Sequence, residues 1–144
     1  MKILTPAERR RLLKKLEELY GIEKLNYIIL KFGNDKLRLY SGSLSPEELY
    51  KIDKGMRVEN VGIYFARENK EIRLTFDSLF LFDIKKNIID ITDEQLKEWL
   101  KGNELNIPCE KSFVILRNKG EFFGTGKSTG ERITNYVPRE RRIK

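Results

Sequence analysis

Histidine is absent from the 144 residues, and cysteine is limited to Cys109. Without histidine there is no Ser-His or Cys-His nucleophile pair, and the commonest transition-metal ligand is gone. One thiol excludes an intrachain disulfide framework and any cysteine-based zinc cluster. With no base to activate it, Cys109 in Pro108-Cys109-Glu110 reads as an inert thiol. Long apolar runs are also missing. None approaches the roughly 18 residues of a membrane span, and the opening MKILTPAERRR lacks the apolar stretch of a secretory signal. These absences set the first expectations: a soluble, cytoplasmic chain with no membrane contact, for which hydrolase and metalloenzyme readings lose most of their usual parts and no metal or cofactor is expected.

What is abundant is charge, 35% of residues, with a formal net of +7. The excess sits at the two ends. Residues 1–15 carry Lys2, Arg9, Arg10, Arg11, Lys14 and Lys15 against Glu8, and residues 111–144 carry nine Lys/Arg against three Glu, while the middle is net negative. Charge separated in this way suits a polyanion, because each neutralised phosphate releases condensed counterions.

The stretch GEFFGTGKST, residues 120–129, ends like a phosphate-binding P-loop. Three demands of that motif fail. The first glycine of G-x-x-x-x-G-K-[ST] would be residue 121, which is Glu121. A helix should open directly after the loop to meet the anion, yet STGERITNYVP is a turn followed by β-branched and aromatic residues. The surrounding pattern also lacks repeated strand-helix alternation.

Helix starts are clear. Thr5-Pro6-Ala7-Glu8 and Ser45-Pro46-Glu47-Glu48 are capping boxes with proline at the first helical position, and Thr92-Asp93-Glu94-Gln95 is the glutamine version. They predict helices over about 6–20, 46–52 and 93–101, the first stopped by Gly21. It gathers Leu12, Leu13, Leu16, Leu19 and Tyr20 on one side and Arg10, Arg11 and Lys14 on the other, a possible second basic face. Between the helices, LNYIILKF and KLRLY flank a Gly33-Asn34-Asp35 turn, and VGIYFA and IRLTF form a second hairpin. SLFLF, NIIDI, SFVILR, EFFGTG and ERITNYV complete the expected strands. The pattern is α+β, a small N-terminal helix-plus-hairpin unit over 1–54 ahead of a compact β domain over 55–144.

Gly124 and Gly126 alternate on one face of the EFFGTGKS strand, so another backbone, of protein or of nucleic acid, can approach there. NYVPRERRIK follows with Asn135, Tyr136 and three arginines. Guanidinium forks suit phosphate oxygens, and a tyrosine offers a stacking face to an unpaired base.

The segment SFVILRNKGEFFGTGKSTGERITNYVPRERRI resembles the C-terminal end of the PUA-like RNA-binding domains attached to archaeal RNA cytosine-5 methyltransferases of the Nop/Sun family. It matches their G-x-F-x-G-x-G-K strand and their closing N-Y-[VI]-P-[RK]-E-R-R. Upstream, GMRVENVGIYFARENKEIRLTFDSLFLF resembles the opening hairpin, and ITDEQLKEWLKGNEL the helix with Trp99 and Gly102. Residues 1–54 are not placed by it. The resemblance implies a PUA-like pseudo-barrel that binds RNA and performs no chemistry, since the methyltransferase glycine turn and cysteine pair are not in this sequence. Carried over, the RNA contacts fall on Gly124, Gly126, Lys127, Asn135, Tyr136, Arg139, Arg141 and Arg142. The expected partner is structured rRNA or tRNA, in RNA modification or ribosome biogenesis. The alternative is an adaptor that docks on a separate RNA methyltransferase or ribosomal protein through its N-terminal unit.

Overall fold

The computed structural model describes residues 1–55 and 62–144. Met56–Val61, where part of the expected opening hairpin falls, lie outside the described residues. Two sheets organise the chain. The first has the order β1 (Lys2–Ile3), β2 (Ile28–Phe32), β3 (Lys36–Tyr40), β4 (Ile63–Glu68), β5 (Ile72–Leu74), every pair antiparallel. The second has the order β6 (Ile88–Asp90), β7 (Phe113–Asn118), β8 (Glu121–Ser128), β9 (Ile133–Asn135). Here β6 runs parallel to β7, which requires a crossover, and α3 (Asp93–Leu100) supplies it.

Helix α1 (Pro6–Tyr20) forms as its capping box predicts. Thr5 and Glu8 exchange side-chain and backbone hydrogen bonds, and Gly21 closes the helix at φ 68°, its N–H returning to the Glu17 carbonyl. Leu12, Leu16 and Tyr20 recur every four residues and are buried against Leu37, Leu39, Phe65, Ile72 and Leu74 of the first sheet. Each such side chain contributes about 1.5–3 kcal/mol on burial. The Tyr20 hydroxyl donates to the Ile72 carbonyl, and burial pushes this phenol well above its ordinary range. Arg9 is not part of an exposed face, for it donates to the Leu25 and Tyr27 carbonyls and ties the loop below the helix. Helix α2 (Pro46–Gly55) starts at Ser45, whose side chain accepts from the Glu48 N–H.

SLFLF is not a strand. Residues Phe76–Leu81 form a 3₁₀ turn, because the Ser78 hydroxyl donates to the Phe65 and Thr75 carbonyls and the Thr75 hydroxyl to the Tyr64 carbonyl. A short apolar run does not distinguish the two conformations by periodicity. The turn leaves Phe80 exposed and buries Leu79.

A second core surrounds Trp99, with Ile91, Leu105, Val114, Leu116, Ile133 and Val137. The indole is fully buried and its Nε1–H donates to the Phe123 carbonyl at 2.7 Å. The sheets are joined where the buried Thr125 hydroxyl donates to the Leu74 carbonyl at 2.9 Å and where Ile115 enters the first core. Strands β3 and β4 pair across residue 54, so the first sheet runs continuously from Lys2 to Leu74. No helix among the described residues is long and apolar enough to cross a membrane.

Candidate nucleic-acid interface

The glycine strand is strand β8, and Gly126-Lys127-Ser128 lie inside it, leading into a turn and β9 and not into a helix. The space its glycines leave is filled by protein. A Cβ on Gly126 would stand 2.7 Å from Trp99 Cη2 and 2.4 Å from Ile133 Cγ2, and one on Gly124 would meet Phe76, Trp99 and Val137 at 3.2 Å each. Gly124 also holds φ 118°, a region that side chains disfavour. The close approach that the bare glycines allow is made here by protein atoms, the indole among them.

Asn135 has a comparable structural task. Its Nδ2 donates to the Trp99 and Asn103 carbonyls at 2.7 and 3.0 Å, and its Oδ1 accepts from the Val137 N–H at 2.7 Å. Its carboxamide is thus engaged on both ends and ties β9 to the end of α3.

The basic tail is folded back. Residues Arg139–Arg141 form a 3₁₀ turn, and the Ile143 N–H donates to the Leu100 carbonyl at 2.9 Å. Arg141 Nε pairs with Asp77 at 3.0 Å. Arg142 Nε donates to the Val137 carbonyl at 3.0 Å, and its side chain crosses Gly102 so closely that a Cβ there would lie 2.6 Å from that nitrogen. Arg139 is exposed and makes no side-chain hydrogen bond or ion pair with the described residues. The three arginines have three different situations.

Lys127 and Tyr136 come together on a concavity of about 670 Å³ between the sheets. Phe113 and Tyr136 form one wall from the second sheet, their rings edge to face at 5.9 Å. The β4–β5 hairpin forms the other, with Arg67, Asn69, Lys70, Glu71 and Arg73. Arg73 places its guanidinium carbon 4.5 Å from the Tyr136 ring centroid, and Lys127 Nζ lies 5.2 Å from that of Phe113. Both distances are within the reach of cation–π attraction. Four cations face one carboxylate, Glu71. Tyr136 remains 38% exposed, a polar-tipped ring on an open cleft.

Arg67, Lys70, Arg73 and Phe113 were not among the residues singled out in the sequence. A signal was available in the hairpin. The Glu-Asn-Lys turn sets Arg67 opposite Arg73, as the register confirms, and like charges in that position destabilise a sheet unless something compensates. Asp35 lies 3.0 Å from Arg67 Nε and the Tyr136 ring lies under Arg73.

Arg10, Arg11 and Lys14 are exposed on α1, away from the leucine face. Arg11 and Lys15 border a smaller hollow with Glu8, Lys31 and Glu68, and Lys15 pairs with Glu68 at 3.3 Å. Cys109 is half-buried, and among the described residues no group of three or more His, Cys, Asp or Glu gathers as a metal site would.

Residues 86–143 match the family model described as the methyltransferase RsmF PUA domain, which bears out the PUA-like resemblance of the C-terminal segment. A ribosomal RNA small subunit methyltransferase F from Vibrio campbellii is 36% identical over 63 residues, 39% of this chain and 13% of that enzyme. Its namesakes from Shewanella oneidensis and Psychromonas ingrahamii are 28% and 29% identical over 102 and 107 residues, each 67% of this chain and 22% of the relative. The chain thus spans between 13% and 22% of the length of these relatives. Among solved structures, a conserved PUA domain protein from Thermoplasma acidophilum superposes with a TM-score of 0.62 at 12% identity, over 96% of this chain and 95% of that one. The fold is α+β and PUA-like, and the likeness takes in the first 54 residues that the sequence resemblance left unplaced.

Proposed function

We propose that the chain is a noncatalytic RNA-binding protein that acts in the cytoplasm on structured rRNA or tRNA, in RNA modification or ribosome biogenesis. The observation that carries this reading is the cleft between the sheets, where four cations surround two aromatic rings, one of them open to solvent. Cations of this kind hold phosphates and set register, while ring faces and polar edges meet bases. The ribosomal RNA methyltransferases that share the C-terminal segment point to rRNA as the substrate class.

In this reading Lys127, Tyr136 and Arg139 contact RNA together with Arg67, Lys70, Arg73 and Phe113. Gly124, Gly126, Asn135 and Arg142 hold the second wall in place, and Arg141 contributes as far as Asp77 leaves it free. Arg10, Arg11 and Lys14 form a secondary face. The residues lining the cleft, 67–136, all fall within the span 55–144 taken as the RNA-binding domain, and the sheet that supplies its first wall continues into residues 1–54.

Binding of the nuclease-treated protein to total tRNA, an rRNA fragment and duplex DNA, followed from 50 to 300 mM salt, tests the proposal. One RNA should be retained above the DNA at the higher salt, and Lys70→Ala with Lys127→Ala should lower the slope of log K against log salt by about two. Equal release of all three polyanions would overturn it and favour an adaptor held by a protein partner.

A further inference from the structure

The outer face of the first sheet carries a pattern that the cleft alone does not use. Lys36 pairs with Arg67 and Arg67 with Arg73, so three cations stand in one row across β3, β4 and β5. Residues directly opposite in antiparallel strands share a face, and strands lie about 4.8 Å apart, so the row spans roughly 10 Å. Like charges directly opposite are destabilising; Asp35 meets Arg67 at 3.0 Å, while Lys36 and Arg73 make no ion pair with the described residues. A bulge at Leu37/Arg38 skips Phe65 in the register, which pairs Tyr64 with Arg38 and brings that ring onto the face that also bears Arg67. Lys36 Nζ lies 5.8 Å from the Tyr64 ring centroid, and the Arg38 guanidinium 5.8 Å from that of Phe32. With Arg73 on Tyr136 and Lys127 on Phe113, every cation–aromatic pair among the described residues lies on this face or in the adjoining cleft. The two meet at Arg73 and Tyr136, which border the cleft and also a second hollow of about 290 Å³ that reaches Tyr64 and the exposed Ile63.

From this we infer that the outer face of the first sheet is a track for unpaired RNA, which enters at the Tyr136–Arg73 ridge and crosses toward Tyr64 and Phe32. The inference rests on the RNA-binding reading and names its substrate class. Rings alternating with cations suit a single strand, whose bases expose π faces while its phosphates follow the charges. A duplex keeps those faces stacked inside and offers the sheet only phosphates and groove edges. The concavities at the ridge fall in or just below the about 300–1,000 Å³ of ligand-sized sites, a scale that suits single nucleotides and not the side of a helix.

Fluorescence anisotropy with three labelled RNAs decides it: a non-self-complementary ten-nucleotide strand, a three-nucleotide strand, and a blunt duplex with as many phosphates as the ten-mer. The ten-mer should bind at least about tenfold tighter than the duplex, and Tyr64→Leu and Phe32→Leu should each weaken it about fivefold or more, the stacking of one base, with the duplex unaffected. Tyr64→Phe, which keeps the ring, should bind like the parent. Should the leucine variants fail to fold, photo-crosslinking of a 4-thiouridine ten-mer to the unaltered protein should label peptides containing Phe32 or Tyr64. If the ten-mer binds normally to both leucine variants, or if crosslinks map only to the cleft, the track is overturned while RNA binding stands. If none of these RNAs binds while total tRNA or the rRNA fragment does, the track is overturned and the function proposed above stands; if tRNA and the rRNA fragment also fail to bind, both fall.

Discussion

A methyl group at Gly126 has no room. Its ideal position is 2.4 Å from Ile133 Cγ2, 2.7 Å from the Thr134 carbonyl oxygen and 2.7 Å from Trp99 Cη2. The isoleucine could rotate, but the other two neighbours are fixed. Thr134 pairs with Lys127 in the β8–β9 ladder, so its carbonyl cannot withdraw without breaking the register. The indole is fully buried and pinned through Nε1 to the Phe123 carbonyl. Overpacking of a well-ordered core costs about 1–3 kcal/mol, and with two immovable neighbours Gly126→Ala belongs at the upper end, ~2–3 kcal/mol. For a chain of this size that corresponds to a fall of roughly 5–10 °C in Tm. Trp99 is the only tryptophan, so its fluorescence during thermal unfolding reports on the affected site. RNA affinity measured well below the transition should be nearly unchanged. An unaltered Tm with a large loss of RNA affinity would refute the reasoning, and would mean that the glycine is kept bare for a ligand and not for the indole.

Two further outcomes follow from the geometry. Asn135→Ala removes both donors to the Trp99 and Asn103 carbonyls and the acceptor for the Val137 N–H, so it should cost about 2–3 kcal/mol in urea unfolding; a loss of RNA affinity at unchanged stability would instead assign the residue to base recognition. A hydrogen bond from Lys2, then the Thr5 N–H and hydroxyl, hold the Glu8 carboxyl at about 2 against an ordinary 4.5. A lowered folded value means that the associated stabilisation is complete above about 4.5 and fades as pH falls through about 2. NMR titration should give that midpoint, and Lys2→Ala should move it upward; a midpoint near 4.5 in the parent protein would contradict the contact.

The helices were legible because their starts are written in local chemistry. Thr5, Ser45 and Thr92 cap their own backbones, a contact that needs no knowledge of the rest of the chain. The hairpins were legible for the same reason. What failed was of longer range. The apolar letters of SLFLF fit a strand until Ser78 is seen bonding to Phe65, thirteen positions earlier. That NIIDI runs parallel to β7 depends on the crossover through α3; the Arg117 fork on Asp90, at 2.6 and 2.8 Å, bridges the two strands and draws that carboxyl below its usual range. Part of the lining of the cleft was legible. Lys127 and Tyr136 reach the cleft, but a glycine open to a ligand and a glycine open to an indole look alike in sequence. The cations of the other wall became visible only through their register.

The two walls of the cleft lie far apart along the chain, at residues 67–73 and 113–136. During synthesis the strands of the first sheet are complete, through Leu74, well before β7 and β8 emerge. Yet the first core is not closed until Ile115 enters it, and Thr125 must arrive before Leu74 gains its hydroxyl partner. The cleft is therefore among the last features to assemble, after long loop closures that slow folding. A nascent chain that has not reached Tyr136 carries the cations of the outer row without that ring beside them, so the charge of this face precedes the aromatic part of the cleft.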